Sequence, residues 1–208
     1  MMILSVKPGK LNKIHIYIDE EYRLTVDDVF WFSSPWHNLK EIDAQELAAL
    51  EEAVGSRRAF RAALDLLSRR DHTKQELLRK LTVKHSEEAA RAAVARAEEL
   101  GYIDEARFAE NYAEELYRHK HFGVRRIVQE LLRKGISREI AENAVENLDK
   151  DDENRIILLL RGKYRTALCD EKGRRRAING LLRMGYSYSE IRAAITQVEI
   201  ETEETYDV

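Results

Sequence analysis

One cysteine, two prolines and nine glycines occur among the 208 residues, and each scarcity removes a class of protein. The lone Cys169 cannot close an internal disulfide and has no partner that would make it reactive, so it reads as a bland thiol in a reducing, cytoplasmic setting. No apolar run approaches the roughly 20 residues needed to cross a bilayer. The start, Met1-Met2-Ile3-Leu4-Ser5, has no basic stretch followed by an apolar core, so neither secretion nor a membrane partner is expected. With so little Pro and Gly, 35% charged and 44% hydrophobic residues describe a helix-rich globular chain and not a disordered one.

Catalytic constellations are also missing. His119 and His121 stand two apart, which on a helix turns them to different faces. His15, His37, His72 and His85 have no Cys or His at ligand spacing, and Gly9 and Gly55 stand alone without forming a phosphate loop. The expectation is a protein without enzymatic activity, metal or cofactor.

What the chain does have is repetition. The block Leu77-Leu78-Arg79-Lys80 returns as Leu131-Leu132-Arg133-Lys134 and as Leu181-Leu182-Arg183-Met184. The later two copies continue as Gly135-Ile136-Ser137 and Gly185-Tyr186-Ser187, then reach Ala144-Val145 and Ala194-Ile195; the first reaches Ala93-Val94 about three residues late. A period near 50 residues marks stacked helical units, which commonly present a surface for a large partner.

The fold class expected is therefore mainly α: a tandem array of three three-helix repeats behind a small N-terminal β-hairpin or sheet. Ile14, Ile16 and Ile18 alternate with polar neighbours, as do Tyr22, Leu24 and Val26 after the break Asp19-Glu20-Glu21. Ile3–Val6 supplies a third strand beyond Lys7-Pro8-Gly9, and the irregular aromatic stretch Phe30-Trp31-Phe32 to Trp36 covers the sheet. Asp43 and Glu46 form a capping box for a linking helix with Leu47, Leu50 and Val54 on one face, ended by Gly55. The expected divisions are 1–57, 58–103, 104–149, 150–198 and an acidic tail, 199–208, that continues the last helix or frays.

Within the repeats, Phe60, Ala63, Leu64 and Leu67 make the first apolar stripe, followed by Leu77, Leu78 and Leu81. Thr73, Ser86, Asp104, Ser137 and Ser187 read as N-caps, and Gly101, Gly135 and Gly185 as helix stops. Phe108, Tyr112 and Leu116, then Ile127, Val128, Leu131 and Leu132, form the second core; Ile156, Ile157, Leu160, Ala177, Ile178, Leu181, Ile191, Ile195 and Val198 form the third.

The net charge of −3 hides an uneven distribution of basic groups. Arg69, Arg70 and Lys74 precede the second helix of the first repeat, with Arg79 and Lys80 at its end. His119, Lys120, His121, Arg125 and Arg126 take that place in the second repeat, followed by Arg133 and Lys134. Lys172, Arg174, Arg175 and Arg176 do so in the third, followed by Arg183. One structural position carrying positive charge three times predicts a basic stripe, suited to phosphates or to an acidic protein groove.

The run Leu100-Gly101-Tyr102-Ile103-Asp104-Glu105-Ala106-Arg107-Phe108-Ala109, with Gly123-Val124-Arg125-Arg126-Ile127 and Glu130-Leu131-Leu132-Arg133-Lys134-Gly135-Ile136, resembles the core motif of RecX proteins. The resemblance covers residues 58–198 and is loosest in the third repeat; Val124 stands where many relatives carry a proline. It implies a non-enzymatic modulator of the recombinase RecA. Such a protein binds in the groove of the RecA filament on single-stranded DNA and lowers filament growth, strand exchange, ATP hydrolysis and RecA-stimulated repressor cleavage. Weak direct DNA contact and a monomeric state accompany that expectation. Two other classes fit the residues alone: a DNA-binding helical-repeat protein acting without RecA, and a structural adaptor for another helical partner.

Overall fold

A computed structural model describes residues 1–206, with the backbone alone for Cys169 and residues 201–206. The expectation of a bland Cys169 thiol, and the final tail residues Asp207 and Val208, lie outside the described residues. The chain is mainly helical with a small antiparallel sheet at its N-terminus, as its sequence periods require. It divides into two compact units, Met1–Arg70 with Leu77–Tyr102, and Asp71–Glu76 with Ile103 onward.

The sheet holds β1 (Met2–Pro8), β2 (Lys13–Ile18), β3 (Glu21–Asp27) and the two-residue β4 (Glu41–Ile42) in the order β3-β2-β1-β4. Asp19 and Glu20 both take positive φ between β2 and β3, which is the two-residue hairpin turn whose twist matches that of the strands. Alternation puts Leu4, Ile14, Ile16, Ile18, Leu24 and Val26 on one buried face. The stretch expected to be irregular is instead a short helix, α1 (Asp28–Ser33), and a 3-10 turn, Pro35–Asn38. Asp27 caps α1 by accepting from the Phe30 N–H. Trp31 is buried against the sheet as expected, while Phe32 points outward and is 64% exposed.

Helix α2 (Ala44–Leu67) begins at the foreseen capping box, with both reciprocal bonds between Asp43 and Glu46 in place. It does not stop at Gly55. The apolar face continues from Leu50 and Val54 into Ala59 and Ala63, all buried, so burial outweighs the roughly 1 kcal/mol that an interior glycine costs a helix. Helix α2 packs on α4 (Glu87–Glu99) through small residues, Ala59 and Ala63 on one side and Ala89, Ala90, Ala93 and Ala97 on the other. Phe60 and Leu64, expected in this core, are only half-buried. Between these helices in the chain, α3 (Lys74–Leu81) buries Leu77 and Leu81.

The second unit contains α5 (Glu105–Lys120), α6 (Val124–Arg133), α7 (Arg138–Glu146), α8 (Asp152–Arg161), α9 (Glu171–Met184) and α10 (Tyr188–Tyr206). One core gathers Ala109, Ala113, Leu116, Tyr117, Ile127, Leu131, Ile136 and Val145; Phe108 and Tyr112 pack at its edge and not at its centre. Another gathers Ile156, Leu160, Ala177, Leu181, Tyr186, Ile191 and Ile195. Ser86, Asp104 and Ser137 cap their helices, and Ser187 and Glu190 form the foreseen reciprocal pair. Gly101, Gly135 and Gly185 all take positive φ at helix ends. The tail as far as Tyr206 continues α10.

Candidate partner-binding surface

Burial sets the register of the repeats. Thr73, Gly123 and Gly173 precede buried pairs at matching spacing: Leu77 and Leu81 on α3, Ile127 and Leu131 on α6, Ala177 and Leu181 on α9. The steps from Leu81 to Leu131 and from Leu131 to Leu181 are equal. The segment Gln75–Lys80 is repeated letter for letter as Gln129–Lys134, yet its first copy sits one helical turn earlier in its helix. That displacement of four residues more than covers the three by which Ala93-Val94 is late, leaving the pair one residue early when counted from Leu81. It also corrects the basic stripe: Arg79 and Lys80 occupy the positions of Gln129 and Glu130, and the counterpart of Arg133 is Val83. In this register Arg125 recurs as Arg175, Arg126 as Arg176 and Arg133 as Arg183, while the first repeat shares cations at other positions, as Arg70 with Lys120, Lys74 with Arg174, and Lys84 with Lys134.

Several of these cations are engaged inside the fold. The Lys74 ammonium lies 3.5 Å from the Glu105 carboxylate, and Arg126 lies 2.8 Å from Glu130, which also holds Arg133. The Lys134 ammonium stands 5.4 Å from the centre of the Tyr112 ring. Arg175 pairs with Glu171 at 2.5 Å, Arg174 pairs with Glu199 on α10, and Arg70 is likewise engaged. Among the described residues, Arg69, Arg79, Lys80, Lys120, Arg125, Arg176 and Arg183 form no ion pair, and all but the half-buried Lys80 are exposed.

In the second unit, three of the unpaired groups surround one backbone joint. The Gly123 N–H donates to the Met184 carbonyl at 2.8 Å, which places Lys120 and Arg125 on one side of the joint and Arg183 on the other. The same joint recurs at the start of the unit, where the Thr73 hydroxyl donates to the Lys134 carbonyl at 2.7 Å. Lys120 and Arg183 sit in the last turns of α5 and α9, where a helix dipole favours positive charge. Arg125 sits in the first turn of α6, where the dipole opposes it and no acidic residue compensates. Helix stability therefore explains Lys120 and Arg183 but not Arg125.

A buried polar cluster, invisible to periodicity, stiffens this region. The Arg155 guanidinium lies 3.7 Å from the centre of the Tyr117 ring and donates to the Tyr117 carbonyl. The Tyr117 hydroxyl accepts from the Asp151 N–H at 2.8 Å, and the Tyr186 hydroxyl donates to the His121 carbonyl at 3.0 Å. Burial pushes the Tyr186 and Tyr117 hydroxyls above the ordinary phenol range. Burial also raises Asp152, against the opposing effect of its hydrogen bond from Tyr117. No local spacing signals this set, because α5, α8 and the Gly185 corner meet only in three dimensions.

Among the described residues, no three His, Cys, Asp or Glu side chains converge on a metal position. No described helix is long and apolar enough to cross a membrane. The family model for the second three-helix domain of RecX matches residues 104–145, and that for the first matches 59–96. The regulatory protein RecX of Caldanaerobacter subterraneus subsp. tengcongensis is 33% identical over 144 residues, 69% of this chain and 73% of that protein. The regulatory protein RecX of Stenotrophomonas maltophilia R551-3 is 39% identical over 134 residues, 64% of this chain and 82% of that one. The chain belongs to the RecX family.

RecX proteins are regulatory proteins and not a family of enzymes. The RecX of Clostridium tetani, 27% identical, matches over 94% of both chains, so the N-terminal sheet and the third repeat fall within an alignable length. A crystal structure of a regulatory protein RecX superposes with a TM-score of 0.72 at 20% identity, covering 93% of this chain and 100% of that one. RecX from Lactobacillus salivarius gives 0.63 at 24% identity, covering 71% and 99%. At these identities the two structures establish the shared fold. The RecX domain models take in Arg125, Arg126, Arg133 and Lys134, and end before Arg174, Arg175, Arg176 and Arg183.

Proposed function

We propose that this RecX-family protein binds the RecA filament on single-stranded DNA as a cytoplasmic monomer, and limits filament growth, strand exchange and ATP hydrolysis. The observation that carries the reading is Arg125: exposed, unpaired among the described residues, held against the α6 dipole, and beside Lys120 and Arg183 at the Gly123–Met184 joint. A cation kept where it weakens its own helix belongs to an intermolecular contact. Arg176, the counterpart of Arg126 on α9, extends the surface with a second guanidinium that is free among the described residues, while Arg175, the counterpart of Arg125, is paired with Glu171.

Co-sedimentation with RecA–single-stranded-DNA filaments, beside DNA without RecA, tests the reading. The wild-type chain is expected in the filament pellet, absent from the DNA-only pellet, and inhibitory to RecA-dependent ATP hydrolysis. The pair Arg125→Glu with Arg176→Glu places carboxylates in the N-terminal halves of α6 and α9. Melting should hold steady or rise slightly, by about 0.3–1 kcal/mol for Arg125→Glu in the first turn, while inhibition falls. Salt should weaken the wild-type effect, since exposed charges are screened within about 10 Å at 0.1 M. Equal pelleting with DNA alone points instead to a DNA-binding helical-repeat protein, and no pelleting in either arm to an adaptor for another partner.

A further inference from the structure

The N-terminal unit holds a cavity of about 330 Å³ that the regulatory reading does not use. Its apolar lining comes from Val26 on β3, Phe30 on α1, and Val54, Phe60 and Leu64 on α2. Phe60 and Leu64 stand one helical turn apart, and the packing of α2 on α4 through alanines leaves both half-buried. They are large apolar side chains without a complete partner inside the unit.

Positive charge rims this apolar floor on two sides. Lys13 on β2 and Arg61 on α2 have no ion-pair partner among the described residues. Arg58 gives one N–H to the Thr25 carbonyl at 2.8 Å and is otherwise exposed. The cavity's one carboxylate is already engaged, since Arg57 bonds both oxygens of Asp27 at 3.0 and 3.1 Å. Burial raises Asp27, and the bonds from Arg57 and the Phe30 N–H more than reverse this, holding it below the usual carboxylate range.

We infer that this cavity is a docking site for an acidic peptide segment of a protein partner, one that inserts a Leu or Phe between flanking carboxylates. Charge complementarity selects that occupant. An apolar side chain fills the floor between Val54 and Phe60, and neighbouring Asp or Glu side chains meet Lys13 on one wall and Arg58 and Arg61 on the other. The volume lies at the lower end of ligand sites, about 300–1,000 Å³, enough for an anchor but not for a run of stacked bases. An extended polyanion finds no broad positive field around the cavity, because residues 1–70 and 77–102 carry fifteen Asp and Glu against fifteen Lys and Arg. A short segment needs to satisfy only the local cations. The site lies in the first unit and stands independently of the Arg125 surface.

The test uses the full chain and a fluorescein-labelled decapeptide of alternating glutamate with leucine and phenylalanine. Companion probes are the same peptide with serine at the apolar positions, the same peptide with lysine for glutamate, and a single-stranded oligonucleotide. The acidic apolar peptide is expected to bind and to shift the backbone amide resonances of Val26, Phe30, Phe60 and Leu64 in the wild-type protein. The serine and lysine peptides should bind about tenfold more weakly or not at all. Lys13→Glu with Arg61→Glu, whose fold is checked by melting, should weaken the acidic peptide by at least about tenfold, and Leu64→Gln should do so while keeping the charges. The inference is overturned by no binding of the acidic peptide, by shifts elsewhere, by binding indifferent to both variants, or by an oligonucleotide that takes the same residues in its place.

Discussion

Three glycines share a positive φ at helix ends, yet their surroundings differ. A Cβ on Gly101 would meet nothing within 4 Å; on Gly185 it would come within 2.5 Å of the Arg126 nitrogen and 2.8 Å of the Gly123 carbonyl oxygen. At Gly135 it would press on the Gln75 amide end, which can swing away, and on the Gln75 Cβ at 2.6 Å, which can move only with its backbone. Gly101→Ala should therefore lose about 1 kcal/mol, from backbone strain alone, and Gly185→Ala about 2–4 kcal/mol, because rigid backbone must shift. Gly135→Ala should fall between. Denaturant melts that rank the three equally would show that φ alone sets the cost. At Asp152 the sign of the pH effect follows from burial. Its folded pKa is raised, so the fold favours the protonated acid, and stability falls as pH rises from the ordinary Asp value near 4 towards the raised one. Asp152→Asn removes the titration, and melting followed across that range should lose this decline. A slope unchanged by the variant would place the titration elsewhere.

Among the elements, α2 gives the clearest contrast between local and global control. Glycine after a run of apolar positions is an ordinary stop signal, and at Gly101, Gly135 and Gly185 the chain obeys it. At Gly55 it does not, because Ala59 and Ala63 find the alanine face of α4 and the helix gains more by continuing than by turning. A Cβ at Gly55 would reach Ala89 Cβ at an ordinary 4.0 Å contact. Gly55→Ala should accordingly raise stability by about 0.5–1 kcal/mol, read as a higher melting temperature; a drop would mean that α2 needs the glycine's flexibility. The hexapeptide shared by α3 and α6 teaches the same lesson. Identical text sits one turn apart in the two helices, because Thr73 and Gly123 fix where each helix starts and the core chooses which leucine is buried.

Across the second unit, repeats are joined by backbone at two equivalent places, Thr73 to Lys134 and Gly123 to Met184. The second joint is reinforced by Tyr117, Arg155 and Tyr186, each of which makes a part-buried hydrogen bond to main chain. Breaking such a joint leaves desolvated groups without partners, at about 1–3 kcal/mol each, so the second and third repeats should open together. Hydrogen exchange tests this: the amides of Gly123 and Asp151 should exchange as slowly as interior amides of α6. Exchange at the rate of exposed turn amides would show repeats that open one at a time.

Sequence by itself determined the fold class, the strand alternation in β2 and β3, the caps at Asp43, Ser86, Asp104, Ser137 and Ser187, and the helix stops at Gly101, Gly135 and Gly185. Each depends on a few neighbouring residues and on fixed local geometry. Family membership was legible for the same reason, since its motif runs through those corners. Tertiary structure decided what local rules leave free: that α2 runs through Gly55, that Leu81 and not Leu77 matches Leu131, and that, among the described residues, Arg126, Arg133, Arg174 and Arg175 are paired while Arg125, Arg176 and Arg183 are not. It also brought Phe30, Phe60 and Leu64 to one cavity under Lys13 and Arg61. Burial and charge pairing depend on which surfaces meet, and residues distant in the chain meet only when the helices pack.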